Sequence, residues 1–269
     1  MTPENAPENA PENPAENPLE IKETFAATPD RSRVAMVFGG SRGIGAGLAR
    51  RLARDGFAVG LTYVSRPEQA QEVAAAIQAD GGRALAVRAD SADPAALHAA
   101  VEQVVSHYSR LDVAVVNAGV LKLAPLERMS LDDLDLCLNV NVRGVVLAVQ
   151  AGVARMHDGG RVVTIGSIAA IRPIAPGNSI YAMTKAAVAA FVQGAALDLA
   201  RRGITINNIQ PGPIETDMTD GMADHLVARM PLGRMGRPDD VAALASYLAG
   251  PASSFMTGAS VTIDGGFIL

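Results

Sequence analysis

The chain has 269 residues, of which 49% are hydrophobic and 19% are charged, and it contains 26 glycines. This composition supplies a large core and excludes a protein that is disordered or collagen-like as a whole. Trp is absent, and Phe and Tyr number only six and four. A core built mainly from Ala, Val, Leu and Ile suits buried parallel strands covered by helices, and the length fits one α/β domain.

The negative charge is concentrated at the N-terminus. The formal net charge is −5, and five glutamates are the only charged residues among the first twenty: Glu4, Glu8, Glu12, Glu16 and Glu20. Removing these five from the 28 acidic residues leaves 23, which equals the 23 Lys and Arg residues. A neutral body without a basic stripe lacks the electrostatic signature of nucleic-acid binding, so we expect no nucleic-acid partner.

The Cys and His residues do not indicate a disulfide or a zinc site. Cys137 is the single cysteine, and the four histidines are scattered without metal-binding spacing. We therefore expect no bound metal. The sequence also shows no signal-peptide pattern and no run of about eighteen apolar residues, so we expect a cytoplasmic protein without a membrane span.

Residues 1–18 form a near-repeat of the letters PENA with a proline at every third or fourth position. Proline at this spacing prevents a helix, and the segment has almost nothing apolar to bury. We expect residues 1–30 to be a disordered extension and residues 31–269 to be the folded domain. A partner-binding tail is the alternative interpretation.

From residue 33 onward, short β-branched runs alternate with Ala- and Leu-rich segments of helical length, which is typical of βαβ units. The predicted strands are Arg33–Phe38, Phe57–Tyr63, Arg83–Arg88, Leu111–Val116, Gly160–Gly166, Ile204–Ile209 and Ser260–Ile263. The predicted helices are 44–55, 67–80, 94–108, 131–156, 180–201 and 238–249, several with Pro in the first turn. Right-handed crossovers then give a Rossmann-type, doubly wound, seven-stranded parallel sheet with helices on both faces.

A glycine-rich turn follows the first strand and opens a helix, with the letters GGSRGIG from Gly39 to Gly45. Glycines at 39, 43 and 45 let the backbone approach a pyrophosphate at the helix N-terminus. The same letters also spell a hydrolase nucleophile elbow around Ser41. Only one strand can precede Ser41, and no histidine lies in a late loop, so we favour the nucleotide site.

A Tyr and a Lys lie four residues apart in a predicted helix, within Tyr181-Ala182-Met183-Thr184-Lys185. This spacing puts a phenol and an ammonium on one helix face, where the cation is expected to lower the pKa of the phenol. Such a pair can protonate a carbonyl oxygen. Ser167 ends the fifth strand and is expected beside Tyr181, and Asn141 lies within a helix where a buried amide needs partners.

Across residues 33–269 the sequence resembles the short-chain dehydrogenase/reductase family, in its 3-oxoacyl-carrier-protein reductase-like branch. The matching pieces are GGSRGIG, Asp90, the run from Val116 to Gly119, Asn141, Ser167, YAMTK, INNIQPGPIETDM and the C-terminal TGASVTIDGG. The resemblance implies Tyr181 as acid/base, Lys185 on the nicotinamide ribose, Ser167 orienting the carbonyl and Asn141 holding a relay water. It also implies a homo-oligomer, with a tetramer favoured.

The cofactor contacts follow from the same resemblance. The adenine side would be formed by Asp90, Ser91, Asn117, Ala118 and Gly119, and the nicotinamide side by Pro211, Gly212, Ile214 and Thr216. The full expected set is Gly39, Ser41, Arg42, Gly43, Ile44, Gly45, Tyr63, Ser65, Arg66, Asp90, Ser91, Asn117, Ala118, Gly119, Tyr181, Lys185, Pro211, Gly212, Ile214 and Thr216. Two departures from the family pattern, Phe38 for a Thr and Val116 for an Asn, are expected to change local hydrogen bonds without loss of activity.

The window after the second strand predicts NADP(H) over NAD(H). An NAD enzyme of this architecture places a carboxylate about 20 residues beyond the last glycine, whereas this window reads Thr62-Tyr63-Val64-Ser65-Arg66. Arg42 and Arg66 are available for a 2′-phosphate. The alternative is that both arginines are ordinary surface residues.

The substrate is poorly encoded by the sequence. Its walls are expected in Val120–Met129, Ile168–Ile180 and Met218–Pro231, which are mostly apolar and suit a small neutral ketone. The alternative function is a regulator, because the glycine loop and the C-terminal pieces also resemble cyclic-di-GMP-binding members of the same family. Such a protein would keep the fold and lose most catalysis.

Overall fold

The structure is a computed structural model that describes residues 33–173 and 175–269. The extension proposed for residues 1–30 lies outside the described residues. Within them, the chain forms one body built on a single sheet.

Seven parallel strands form this sheet. They are β1 (Val34–Phe38), β2 (Ala58–Tyr63), β3 (Arg83–Arg88), β4 (Val113–Val116), β5 (Arg161–Ile165), β6 (Thr205–Pro211) and β7 (Ser260–Ile263). Their order is β3-β2-β1-β4-β5-β6-β7, and every neighbouring pair is parallel. The predicted doubly wound, seven-stranded fold is therefore confirmed. The order in which the chain adds strands reverses between β1 and β4, since β2 and β3 lie on one side of β1 and β4 to β7 lie on the other. At such a switch point a crevice opens at the carboxyl ends of the strands.

Eight α-helices connect the strands. They are α1 (Gly43–Arg54), α2 (Pro67–Ala79), α3 (Pro94–Tyr108), α4 (Leu131–Leu138), α5 (Gly144–Arg155), α6 (Ser179–Leu199), α7 (Ala223–Val227) and α8 (Pro238–Ala249). Proline occupies the first turn of α2, α3 and α8, as predicted, because its missing N–H would have no partner there.

The sheet is buried on both faces, and β1 shows how. Its alternate residues Val34, Met36 and Phe38 belong to the core beneath α3, α5 and α6, whereas Ala35 and Val37 belong to the core beneath α1, α2 and α8. Since successive side chains of a strand point to opposite faces, an uninterrupted apolar strand is what a two-sided sheet requires.

The predicted helix 131–156 is wrong in one detail. Five residues in its middle, Asn139–Arg143, form a π-helical turn, and the Gly144 N–H donates to the Asn139 carbonyl five residues earlier. A π turn places one extra residue in the helix and commonly marks a functional position. The short helix α7 was not predicted.

The two departures at Phe38 and Val116 are filled by apolar packing, as expected. Both side chains are buried in the core. The bracing comes instead from Thr62 Oγ1, which accepts from the Gly39 N–H at 2.8 Å, and from Asn117 Nδ2, which donates to the Gly39 carbonyl at 2.8 Å. Neighbouring polar residues thus hold the ends of β1 and β4 together.

Two helical segments, Leu131–Arg155 and Ser179–Arg202, are long and apolar enough to cross a membrane by length and composition alone. Both pack against the sheet through α5 and α6, and core helices of water-soluble proteins commonly pass the same test. The expected absence of a membrane partner therefore stays a prediction.

Candidate active site

A cavity of about 810 Å³ lies at the carboxyl edge of the sheet. Its size falls within the usual range for cofactor and small-molecule sites. The residues that end or follow six successive strands line it: Gly39, Tyr63, Ala89, Asn117, Gly166 and Pro211. A crevice is thus present at the carboxyl edge, where the switch point leads us to expect one.

Most of the residues predicted from the sequence line this one cavity. They are Gly39, Ser41, Arg42, Gly43, Ile44, Tyr63, Ser65, Arg66, Asp90, Ser91, Asn117, Ala118, Gly119, Ser167, Tyr181, Lys185, Pro211, Gly212, Ile214 and Thr216. Gly45 and Asn141 lie behind the wall.

The glycine loop lies against the loop that follows β4. Gly39 has a φ of +78°, and a Cβ there would lie 2.9 Å from the Ala118 Cα. A Cβ on Gly45 would lie 2.0 Å from the Gly39 carbonyl oxygen. Glycine at 45 therefore lets α1 begin directly beneath the loop, which explains why this residue packs behind the cavity.

The N-terminus of α1 has no side-chain cap, and Arg42 at the N-cap is in an extended conformation. Uncapped first-turn N–H groups that open into a cavity favour an anion, through both hydrogen bonds and the helix dipole. This arrangement fits the pyrophosphate of a dinucleotide.

Arg42 and Arg66 both reach the cavity from the ends of β1 and β2. The intervening lining contains Tyr63, Val64 and Ser65 and no carboxylate. Asp217 does line the cavity, however, and its Oδ2 lies 2.8 Å from Arg42 Nη1. This ion pair was not predicted from the sequence, because the two residues are 175 positions apart.

Tyr181, Ser167 and Lys185 meet at the inner end of the cavity. The Ser167 hydroxyl lies close enough to Tyr181 to act on its phenol. Lys185 is 4% exposed, its Nζ donates to the Ile165 carbonyl at 3.0 Å, and it lies 5.7 Å from the centroid of the Tyr181 ring. The expected juxtaposition of phenol, hydroxyl and ammonium is present.

The pKa values of this group differ from the expectation. Burial raises the pKa of Tyr181 above its ordinary value, and the hydrogen bond from Ser167 only partly opposes this shift. Burial also lowers the pKa of Lys185 to about 8. The expectation that Lys185 lowers the pKa of Tyr181 is therefore wrong in this structure, since desolvation of the phenol is the largest effect.

Asn141 belongs to the π turn, and its side chain is fully engaged. Its Oδ1 accepts from the Val120 N–H at 2.8 Å, and its Nδ2 donates to the Val120 carbonyl at 2.8 Å and to Thr184 Oγ1 at 3.2 Å. Thr184 Oγ1 in turn donates to the Tyr181 carbonyl at 2.8 Å. Asn141 therefore ties the substrate wall to the helix that carries Tyr181.

The substrate wall differs from the predicted segments. Val120, Leu121 and Lys122 line the cavity from the first segment and Met218 and Thr219 from the third, whereas none of the described residues of Ile168–Ile180 does. Leu136 from α4 and Val140 from the π turn complete it. Leu136 and Val140 were not predicted as wall residues. The prediction was one continuous helix over 131–156, and a helix without the π turn would place a different set of side chains toward the cavity.

The one cationic residue of this wall is neutralised. Lys122 Nζ lies 2.8 Å from Asp133 Oδ1, and this pairing raises the pKa of Lys122 and lowers that of Asp133. Nearby, Cys137 is a buried free thiol whose pKa burial raises. The described residues contain no cluster of His, Cys, Asp and Glu able to hold a metal ion.

Comparison with known proteins identifies the family. A family model described as enoyl-(acyl carrier protein) reductase, of the short-chain alcohol dehydrogenase type, matches residues 39–268. The chain is 40% identical over 238 residues to the cyclic-di-GMP-binding biofilm dispersal mediator protein of Escherichia coli, covering 87% of this chain and 97% of that protein. It is 37% identical over 242 residues to the 3-oxoacyl-[acyl-carrier-protein] reductase of Synechocystis, covering 88% and 98%.

Among solved structures, a short-chain dehydrogenase from Burkholderia cenocepacia in complex with NADP superposes with a TM-score of 0.86. It is 46% identical in sequence, and the match covers 88% of this chain and 98% of that chain. The similarity therefore extends over nearly all of the described residues.

Proposed function

Because the chain belongs to the short-chain dehydrogenase/reductase family, we propose that it is an NADP(H)-dependent oxidoreductase that interconverts a ketone and a secondary alcohol. The observation that carries this proposal is the shared cavity. It brings the Tyr181, Ser167 and Lys185 group together with an uncapped helix N-terminus and two arginines. When bound, NADPH would supply the hydride.

The cavity fits this cofactor at each of its parts. The first turn of α1 would hold the pyrophosphate, Arg42 and Arg66 the 2′-phosphate, and Asp90 and Ser91 the adenine side. Lys185 lies next to Gly119, where an added Cβ would be 3.5 Å from its Nζ, and its ammonium would bind a ribose hydroxyl. Pro211, Gly212, Ile214 and Thr216 would contact the nicotinamide. The NADP-bound relative supports this choice.

The residues of the chain itself would then hold and transfer one proton. Since burial keeps the pKa of Tyr181 high, the phenol is protonated at neutral pH and can donate to a developing alkoxide. Ser167 would orient the carbonyl through its hydroxyl, and Asn141 would support a relay water through the main chain of its π turn. In the direction of alcohol oxidation, Tyr181 must first lose its proton, so oxidation needs a higher pH.

The wall favours a neutral, mostly apolar substrate. Leu121, Leu136, Val140 and Met218 supply apolar surface, and Lys122 is already paired with Asp133. An anionic group on the substrate would have to compete with that ion pair. We therefore propose a small neutral ketone as the substrate, with the 3-oxoacyl thioesters of the Synechocystis relative as one class to test.

A second candidate function is nucleotide sensing, because the Escherichia coli relative, which is 40% identical, is a cyclic-di-GMP-binding protein. A cyclic dinucleotide would use the same glycine loop and arginines. The present chain has Tyr181, Ser167 and Lys185 lining one cavity, and a pure sensor has no need of them.

Assembly and location also remain proposals. We propose a homo-oligomer, with a tetramer favoured, in which α6 contributes exposed apolar side chains such as Leu197, which is 80% exposed. We propose a cytoplasmic location and no nucleic-acid partner. Size-exclusion chromatography with light scattering would measure the assembly.

One experiment separates the two functions. The full chain is titrated calorimetrically with NADPH and with cyclic-di-GMP, and it is then assayed for NADPH oxidation with ketones, diketones and 3-oxoacyl thioesters. The proposal expects saturable NADPH binding and ketone-dependent oxidation. Tight cyclic-di-GMP binding without turnover on any carbonyl would replace the reductase by the sensor.

A further inference from the structure

The Arg42–Asp217 ion pair joins two sides of the cavity. Arg42 is the N-cap residue of α1, and Asp217 lies in the segment that follows β6. Arg42 Nη1 and Asp217 Oδ2 are 2.8 Å apart, and both side chains are more than half exposed. Both residues line the cavity. The pair therefore lies at the mouth of the site, where the cofactor must pass.

The segment that carries Asp217 has a defined conformation. Thr219 Oγ1 donates to the Ile214 carbonyl at 2.6 Å and accepts from the Thr216 N–H at 3.2 Å. Thr216 also packs on the glycine loop, since its Cγ2 lies 3.1 Å from the position of a Cβ on Gly43. These contacts hold the Asp217 carboxylate next to the loop and to Arg42.

Both arginines assigned to the 2′-phosphate act on this carboxylate. Arg42, and more weakly Arg66, lower the pKa of Asp217. The carboxylate thus occupies the positive field that a phosphate would need. The Asp217 carboxylate and a 2′-phosphate cannot both pair closely with the Arg42 guanidinium, because two negative charges repel each other at this distance.

We propose that Asp217 is a cofactor-specificity residue whose carboxylate holds Arg42 and must release it to the 2′-phosphate of NADPH. This inference rests on the proposed NADPH function. NADH has no 2′-phosphate and leaves the ion pair intact. Asp217 therefore moderates the preference for NADPH.

The test is the Asp217→Asn variant, with NADPH and NADH dissociation constants measured by cofactor fluorescence or calorimetry on the full chain. Because an exposed ion pair is worth little, we expect NADPH affinity to rise by about two- to fivefold and NADH affinity to change by less. Asp220→Asn is the matched control. It removes the same charge three residues later, at an exposed residue that does not line the cavity.

The Arg42→Ala background supplies a second arm, in which adding Asp217→Asn is expected to change NADPH affinity by less than twofold. Unchanged or weaker NADPH binding in Asp217→Asn, or an equal gain for NADH, would overturn the inference while wild-type NADPH binding still supported the proposed function. Absence of saturable NADPH binding in the wild-type protein would instead overturn the proposed function itself.

Discussion

Replacing Arg42 by Ala tests the cofactor assignment quantitatively. A hydrogen bond to a charged group contributes about 1.5–3 kcal/mol. Arg42 must first give up its exposed ion pair with Asp217, which is worth about 0.2–1 kcal/mol. The net loss in Arg42→Ala is then about 0.5–2.8 kcal/mol, or about two- to a hundredfold in NADPH affinity. NADH affinity should change little, because no 2′-phosphate is present.

The assay is a titration of both cofactors against wild type, Arg42→Ala and Arg50→Ala. Arg50 is an exposed residue of the same helix that does not line the cavity, so its loss controls for the change in net charge. A preference for NADPH that survives in Arg42→Ala, or equal wild-type dissociation constants for NADPH and NADH, would refute the reasoning.

Three further predictions concern pH, packing and the N-terminus. The rate of ketone reduction should fall as pH rises through about 8, because Lys185 loses its charge there. For the same reason, Lys185→Ala should weaken both turnover and NADPH binding at pH 7. A wild-type pH–rate profile that stays flat to pH 9.5 would exclude this role of Lys185. Gly45→Ala should lower the thermal midpoint by several degrees, because its Cβ would lie 2.0 Å from a backbone oxygen and overpacking costs about 1–3 kcal/mol. Gly194→Ala is the control and should not lower the midpoint, because nothing lies within 4 Å of the added Cβ. Deleting residues 1–20 should move the net charge from −5 to zero and leave midpoint and turnover unchanged; a drop of several degrees would show that this segment contacts the domain.

The sequence predicted the sheet well because the signals for buried parallel strands are local. Strands β3 and β7 have the predicted bounds, and the other strands differ by at most two residues at an end. Proline at the first turn fixed the start of α2, α3 and α8 in the same way. The glycine loop and the Tyr181 to Lys185 spacing are equally local, and the structure places both at the predicted edge of the sheet.

The features that were missed depend on contacts between distant residues. The π turn at Asn141 arises with tertiary hydrogen bonds to Val120 and Thr184, and periodicity alone shows only a continuous helix. The direction of the Tyr181 pKa shift depends on burial, which outweighs the hydrogen bond from Ser167. The Arg42–Asp217 pair likewise requires the fold, since no sequence spacing links the two residues.

The Tyr181→Phe variant tests the central claim most directly. It removes the one hydroxyl that would protonate the carbonyl oxygen and keeps the ring. Positioned proton transfer contributes about 10²–10⁴-fold, so ketone-dependent NADPH oxidation should fall by about that factor while the NADPH dissociation constant changes by less than about twofold. Turnover within threefold of wild type in Tyr181→Phe would contradict the assignment of Tyr181 as the acid.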